Sequence, residues 1–245
     1  MQYGLQMYSV RDITDKDLHR ALLEVGKMGY AFAEFAGFFG HSAQEVRAWL
    51  DEAGMDVSGT HTGWQELTPE HFADTVRYHK EIGNRNIIIP GADLSSAEKL
   101  NDFIDLLNDV GPKLKKEGIT LGYHNHAHEF QKTSYGAFIH HELETRTKVE
   151  FEIDTYWAFV AGEDPVGTIQ RLADRIRVIH LKDGYKDGHG KALGEGEAPV
   201  AAVRKAALDL GFSIVVESET MDPDGLSEVE RCITYLKALD LLDRR

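Results

Sequence analysis

Short apolar runs alternate along this chain with longer segments whose apolar residues recur at helical spacing. YGLQMYS reads as a strand, and DKDLHRALLEVGKMG as a helix ending at glycine, with Leu18, Leu22, Leu23 and Val25 near one face. YAFAEFAG is the second strand, and SAQEVRAWLDEAG the second helix, with Ser42 as N-cap. MDVSGTHTG and TPEHFADTVRYHKEIG follow, with Thr68 as N-cap and Pro69 at the first helical position. NRNIIIPG leads into SSAEKLNDFIDLLNDVGPKLKKEG, where Pro112 predicts a kink or break. The second half repeats the scheme: ITLGYHNH with YGAFIHHELETR, then KVEFEIDTYW with DPVGTIQRLAD. RIRVIHLKD is separated from PVAAVRKAALDLG by the irregular stretch GYKDGHGKALGEGEA, and FSIVVESE precedes the closing helix LSEVERCITYLKALDLL.

Eight alternating strand–helix units predict a parallel sheet, and eight in one such chain predict a (β/α)8 TIM barrel, a single domain over residues 1–245. The alternative is an open doubly wound sheet, but no GxGxxG follows the first strand. No apolar run approaches the ~20 residues that span a bilayer, and MQYGLQMYSV lacks the basic-then-apolar order of a signal peptide. A cytoplasmic location without membrane association is the expectation. The single cysteine, Cys232, excludes an internal disulfide and lies in a helical pattern as a small buried hydrophobe. A net charge of −14 counts against nucleic acid as a partner, because phosphate recognition needs a basic face.

A barrel of this kind works at the C-terminal ends of its strands. Four successive late strands end in side chains able to ligate a metal: His124, Asp154, His180 and Glu217. Singly, each also reads as a structural histidine, a helix N-cap or a salt-bridge acid; together they point to one metal site. Mixed nitrogen and oxygen donors suit Mn2+, Co2+, Fe2+, Ni2+ or Zn2+ better than an all-oxygen ion. His61 closes the third strand and Gln6 lies in the first, both as candidates for binding substrate. Glu34, in the second, either points inward or pairs with a neighbouring cation. Trp157 stacks on a sugar ring or packs beneath a loop, and Lys182 binds a substrate oxygen or pairs with an acid. In ITLGYHNHAHEF, His124 and His126 share a side if the strand extends that far, while His128 and Glu129 lie beyond it.

GLQMYSVRD, EFAGFFG, GYHNHAHEF, DTYW, HLKD, LGEGE and VVESE occur in this order, and over nearly the whole chain they resemble the xylose isomerase-like TIM-barrel superfamily, specifically its sugar phosphate isomerase/epimerase group. The resemblance implies a divalent metal, commonly Mn2+, with Co2+, Zn2+, Fe2+ or Mg2+ as alternatives. Asp154, His180 and Glu217 match the group's ligands, and His124 stands where many ketose epimerases carry a glutamate that is both ligand and acid/base. The activity implied is metal-assisted isomerisation or epimerisation of a keto-sugar or polyol derivative. Glu217 would move the proton, and His126 or Glu129 would act as the second acid/base group. The absent glutamate shifts weight to the alternative, a lyase or dehydratase or an enzyme cleaving 3-keto-glycosides. Less favoured are a non-catalytic sugar-binding protein and the abasic-site endonuclease branch. A homodimer is implied by analogy only.

Overall fold

A computed structural model describes residues 1–243. Eight parallel strands close into a barrel: β1 (Gly4–Gln6), β2 (Phe32–Phe35), β3 (Asp56–His61), β4 (Asn86–Ile89), β5 (Thr120–His124), β6 (Glu150–Asp154), β7 (Ile176–Leu181) and β8 (Ser213–Val216). Each strand pairs with its sequence neighbours, and β1 closes the ring through Gly4↔Phe32 on β2 and Gly4↔Val215 on β8. Side chains alternate across the barrel wall: on β7, Ile179 and Leu181 pack outward while His180 turns into the lumen. Register shifts fall between Ala33 and Glu34 and between Phe151 and Ile153. In each the extra residue lies on the partner strand, β3 or β7, which carries an inward histidine, His61 or His180, and bulges commonly re-aim such side chains.

The outer ring of helices forms for local reasons. Asp17, Ser42, Ser96, Asp164 and Asp224 each accept a backbone N–H at a helix start, and Ser42 completes a capping box with Glu45. Their apolar faces pack on the outside of the sheet and hold most of the core, including Cys232. No helix among the described residues is long and apolar enough to cross a membrane.

Three local readings need correction. The helix of the third unit spans Phe72–Glu81; the Thr68 hydroxyl donates to the Gln65 carbonyl, so Thr68 closes a preceding turn rather than capping. The fourth helix, Ala97–Lys116, is not broken at Pro112, because Leu107, Val110 and Leu114 keep it packed on the barrel through that point. The sixth strand stops at Asp154, and TYW opens a short helix, Thr155–Ala161.

Candidate functional site

β5, β6 and β7 deliver His124, Asp154 and His180 to the top of the barrel, and Glu217 follows β8 directly. All four are buried, and one potential ligand atom from each lies within 4.8 Å of the other three. Asp154 acts twice. Its Oδ1 accepts the Trp157 N–H at 2.8 Å, starting the helix Thr155–Ala161, while its Oδ2 is buried without a hydrogen-bond partner. His124 Nδ1 is likewise buried without an aligned partner. Buried polar atoms are rarely left unpaired. Two imidazoles and two carboxylates converging on one point, with the unpaired Asp154 Oδ2 and His124 Nδ1 among their atoms, therefore fit a first-row divalent cation. Asn125 secures the frame: its amide accepts the Asp154 N–H at 3.1 Å and donates to the Asp154 carbonyl at 3.2 Å, tying β5 to β6.

Below this set lies a layer of paired groups. His180 Nδ1 is 3.3 Å from Glu217, and its Nε2 is 2.6 Å from Glu34. A carboxylate behind an imidazole fixes ring orientation, as metal-binding histidines require. Gln6 donates to Glu34 at 2.7 Å and accepts the Tyr8 N–H at 3.1 Å, so it positions Glu34 and does not reach the cavity as a substrate group. His61, proposed from the sequence to bind substrate, is committed similarly: its Nε2 is 2.8 Å from Glu152 and 3.3 Å from Glu34. Glu34 thus does both things its position allows, pointing inward and pairing.

Glu152 went unnoticed in the sequence, although it precedes Asp154 by two residues and therefore shares its side of β6. Burial, reinforced by the Glu34 charge, raises its pKa well above the usual carboxylate range, favouring the protonated form. Burial also works to raise Glu34, but His180 and His61 hold it down to about 2. Burial lowers His61 to about 4 and His124 well below the ordinary value, keeping both imidazoles neutral, the form that binds metal. His61, Glu152, His124 and His180 form a second, deeper donor group that shares two histidines with the first. Its single carboxyl has a raised pKa, whereas the upper group offers two carboxylates, so the upper group fits a cation better.

Lys182 and Trp157 line the cavity above. The buried Lys182 Nζ lies 4.7 Å over the Trp157 ring, 3.7 Å from Glu217 and 2.6 Å from Glu219. Burial opposes its charge, but Glu217, Asp154 and Glu219 keep it protonated. β5 ends at His124, so His126 lies past the strand, where alternation no longer decides direction. Its ring is half-exposed, with its centroid 5.1 Å from that of His124 and 6.2 Å from that of Trp157. Glu129 does not join the cavity. It is fully buried, accepting the Tyr123 hydroxyl at 2.9 Å and the His126 N–H at 2.8 Å. Its part is to hold the His126 turn. The LGEGE loop is organised by another unforeseen residue, buried Asp183, whose carboxylate accepts the N–H groups of Gly184, Gly194, Gly196 and Ala198 at 2.8–3.1 Å.

This closed barrel, with its polar cluster at the strand ends, belongs to the xylose isomerase-like TIM barrel family, whose family model matches residues 22–239. The chain is 24% identical over 232 residues to the inosose dehydratase of Geobacillus kaustophilus (strain HTA426), covering 84% of this chain and 71% of that protein. It is 26% identical over 154 residues to the inosose dehydratase of Lacticaseibacillus casei, covering 55% of this chain and about half (51%) of that protein. A solved sugar phosphate isomerase/epimerase from Parabacteroides distasonis ATCC 8503 superposes with a TM-score of 0.82 at 26% identity, over 96% of this chain and 97% of that one.

Proposed function

We propose that this chain is a divalent-metal-dependent lyase that removes a proton beside the carbonyl of a keto-sugar or polyol-derived ketone and releases the β-oxygen. The observation that carries this reading is the asymmetry of the cavity. Glu217 faces Lys182, while His124 occupies the β5 position and Glu129 is turned away to the His126 backbone. Elimination needs one base and one acid; inversion at carbon needs a second proton-transfer group on the opposite face. Relatives named inosose dehydratase support the same reading.

His124, Asp154, His180 and Glu217 would hold the cation, with Mn2+ first among the candidates, and when bound it supplies Lewis-acid polarisation of the carbonyl. Glu217 takes the proton from the carbon beside the carbonyl. Burial would raise Glu217, but Lys182 and His180 hold it well below the usual range, so it is ionised at neutral pH. The Lys182 ammonium holds the oxygen on which negative charge develops, and the Trp157 ring forms the wall beneath it. As the C–O bond breaks, His126 protonates the leaving oxygen; the Glu129 carboxylate, 3.8 Å from its Nδ1, raises its pKa and favours the imidazolium.

A second reading, isomerisation or epimerisation, is favoured by the rim position of His126, from which a proton returns to carbon instead of oxygen. One assay separates the two. Metal-loaded protein is incubated in D2O with ketoses, inosose-like ketones and 3-keto-glycosides, following enone absorbance and deuterium at carbon. Elimination produces the absorbance; an epimer carrying deuterium without absorbance selects the second reading. Glu217→Gln is expected to lose at least ~100-fold in turnover. Unchanged turnover in that variant refutes Glu217 as the base.

A further inference from the structure

We infer that His126, His128 and Glu129 form a second, solvent-facing transition-metal site beside the first. Potential ligand atoms of the three lie within 4.8 Å of one another. His128 Nδ1 is 3.3 Å from Glu129 Oε2, and His126 Nδ1 is 3.8 Å from Glu129 Oε1. Donors bound tetrahedrally to Zn2+ at ~2.0–2.2 Å stand about 3.4 Å apart, so small ring rotations complete the geometry. The two imidazoles are nearly parallel, with centroids 5.8 Å apart and an interplanar angle of 21°.

Glu129 is the fixed member. It is fully buried, and each oxygen already accepts one hydrogen bond, from the Tyr123 hydroxyl or the His126 N–H, leaving one lone pair free on each. Such outer contacts orient metal-binding carboxylates. The histidines are the mobile members, with side chains 41% and 62% exposed, so the ion enters from solvent without opening the barrel. Two nitrogens and one oxygen select Zn2+, Co2+, Ni2+ or Cu2+ over Mg2+ or Ca2+. Three protein donors leave a coordination position open, so this site exchanges its ion more readily than the buried one. Ligation also draws His126 away from substrate. On the reading of His126 given above, excess Zn2+ therefore inhibits turnover.

The test uses metal-replete protein titrated with Zn2+ by calorimetry, with metal content measured in the same sample to show that the resident ion is retained. Wild type is expected to take up one further equivalent of Zn2+. His128→Ala, at an exposed position outside the proposed catalytic machinery, is expected to take up none and to escape inhibition. Asp154→Asn is expected to lose the resident ion and keep the Zn2+ equivalent. Wild type taking up no further Zn2+, or His128→Ala taking it up as tightly as wild type, overturns the site. Zn2+ bound there with turnover unchanged supports the site and removes His126 from the reaction, a failure of the functional reading alone.

Discussion

Asp154→Asn separates the two functions of one carboxylate. Oδ1 caps the helix Thr155–Ala161, and Oδ2 is the unpaired atom turned to the proposed cation. Asparagine keeps an Oδ1 acceptor and ranks with aspartate as an N-cap, so the capping loss is at most a few tenths of a kcal/mol, against ~1 kcal/mol for Asp154→Ala. The amide exchanges a buried unpaired acceptor for a buried unpaired donor, leaving that cost unchanged. What changes is charge. Burial raises Asp154 to about 6, above the ordinary carboxyl value of ~3.9. Below about pH 4 the carboxyl is neutral in both folded and unfolded protein, and burial exacts nothing. Between about pH 4 and 6 the unfolded chain ionises first, and above about pH 6 the folded protein carries the full penalty of a buried charge. Metal-free Asp154→Asn is therefore expected to match wild type near pH 4 and to equal or exceed it at pH 7.

With metal the order reverses. An ion at 100 times its dissociation constant stabilises the native state by ~2.7 kcal/mol. For a chain of this size each kcal/mol moves Tm by ~2–4 °C, so wild type should gain about 5–10 °C. Asp154→Asn should gain almost none. The assay is differential scanning calorimetry of stripped protein at pH 7 with and without Mn2+, backed by metal analysis. If the variant shifts as wild type does, Asp154 is not a ligand. If the stripped variant falls below wild type by more than ~2 kcal/mol, Asp154 is a structural cap and charge partner, and its unpaired oxygen has been misread.

Asp183→Asn removes the acceptor on one side of the carboxylate, costing two of its four backbone hydrogen bonds at ~1.5–3 kcal/mol each. Limited proteolysis between residues 184 and 198 should accelerate while bound metal stays at the wild-type level; an unchanged cleavage rate means the loop is held by other contacts. Glu144 gives a pH prediction away from the site: burial would raise it, but His140 and Arg171 hold it at about 2. Because its folded pKa is depressed, its stabilisation is present above about pH 4 and lost as pH falls towards 2. Glu144→Gln should therefore flatten the wild-type fall in Tm between pH 5 and 3, and parallel curves would show that the pair contributes nothing.

The barrel was legible because its evidence is local. Apolar runs alternate with helical periods, and caps such as Ser42 with Glu45 sit within single turns. The convergence of His124, Asp154, His180 and Glu217 was legible because each lies at or just past a strand end, and a closed barrel brings successive strand ends to one face. Boundaries failed where one residue served two elements. Asp154 ends β6 and caps the following helix at once, so TYW reads as strand until the cap is seen. Pro112 misled because its local penalty is outweighed by the packing of Leu107, Val110 and Leu114 on either side.

Side-chain partners were less legible, because strand geometry fixes where a side chain points but not what its tip meets. Gln6 and His61 do point inward, yet their partners are Glu34 and Glu152, which lie 28 and 91 residues away in sequence. EFEID carried the missing signal: alternation puts Glu150, Glu152 and Asp154 on one side of β6, and a run of acids cannot line an apolar lumen unpartnered. Glu150 pairs with Arg177, but among the described residues Glu34, Glu152, Asp154 and Glu217 meet only His180 and Lys182 as cations at this end of the barrel, an excess of acid. The raised pKa of Glu152 offsets part of that excess, and the proposed cation at the upper donors would offset the rest. The raised pKa of Glu152 follows from its burial beside the Glu34 charge, which makes it the weakest of these carboxyls as a cation ligand. Asp154, whose Oδ2 has no partner, and Glu217 are therefore the carboxylates through which the proposed cation would be held, while Glu34 is engaged in orienting His180.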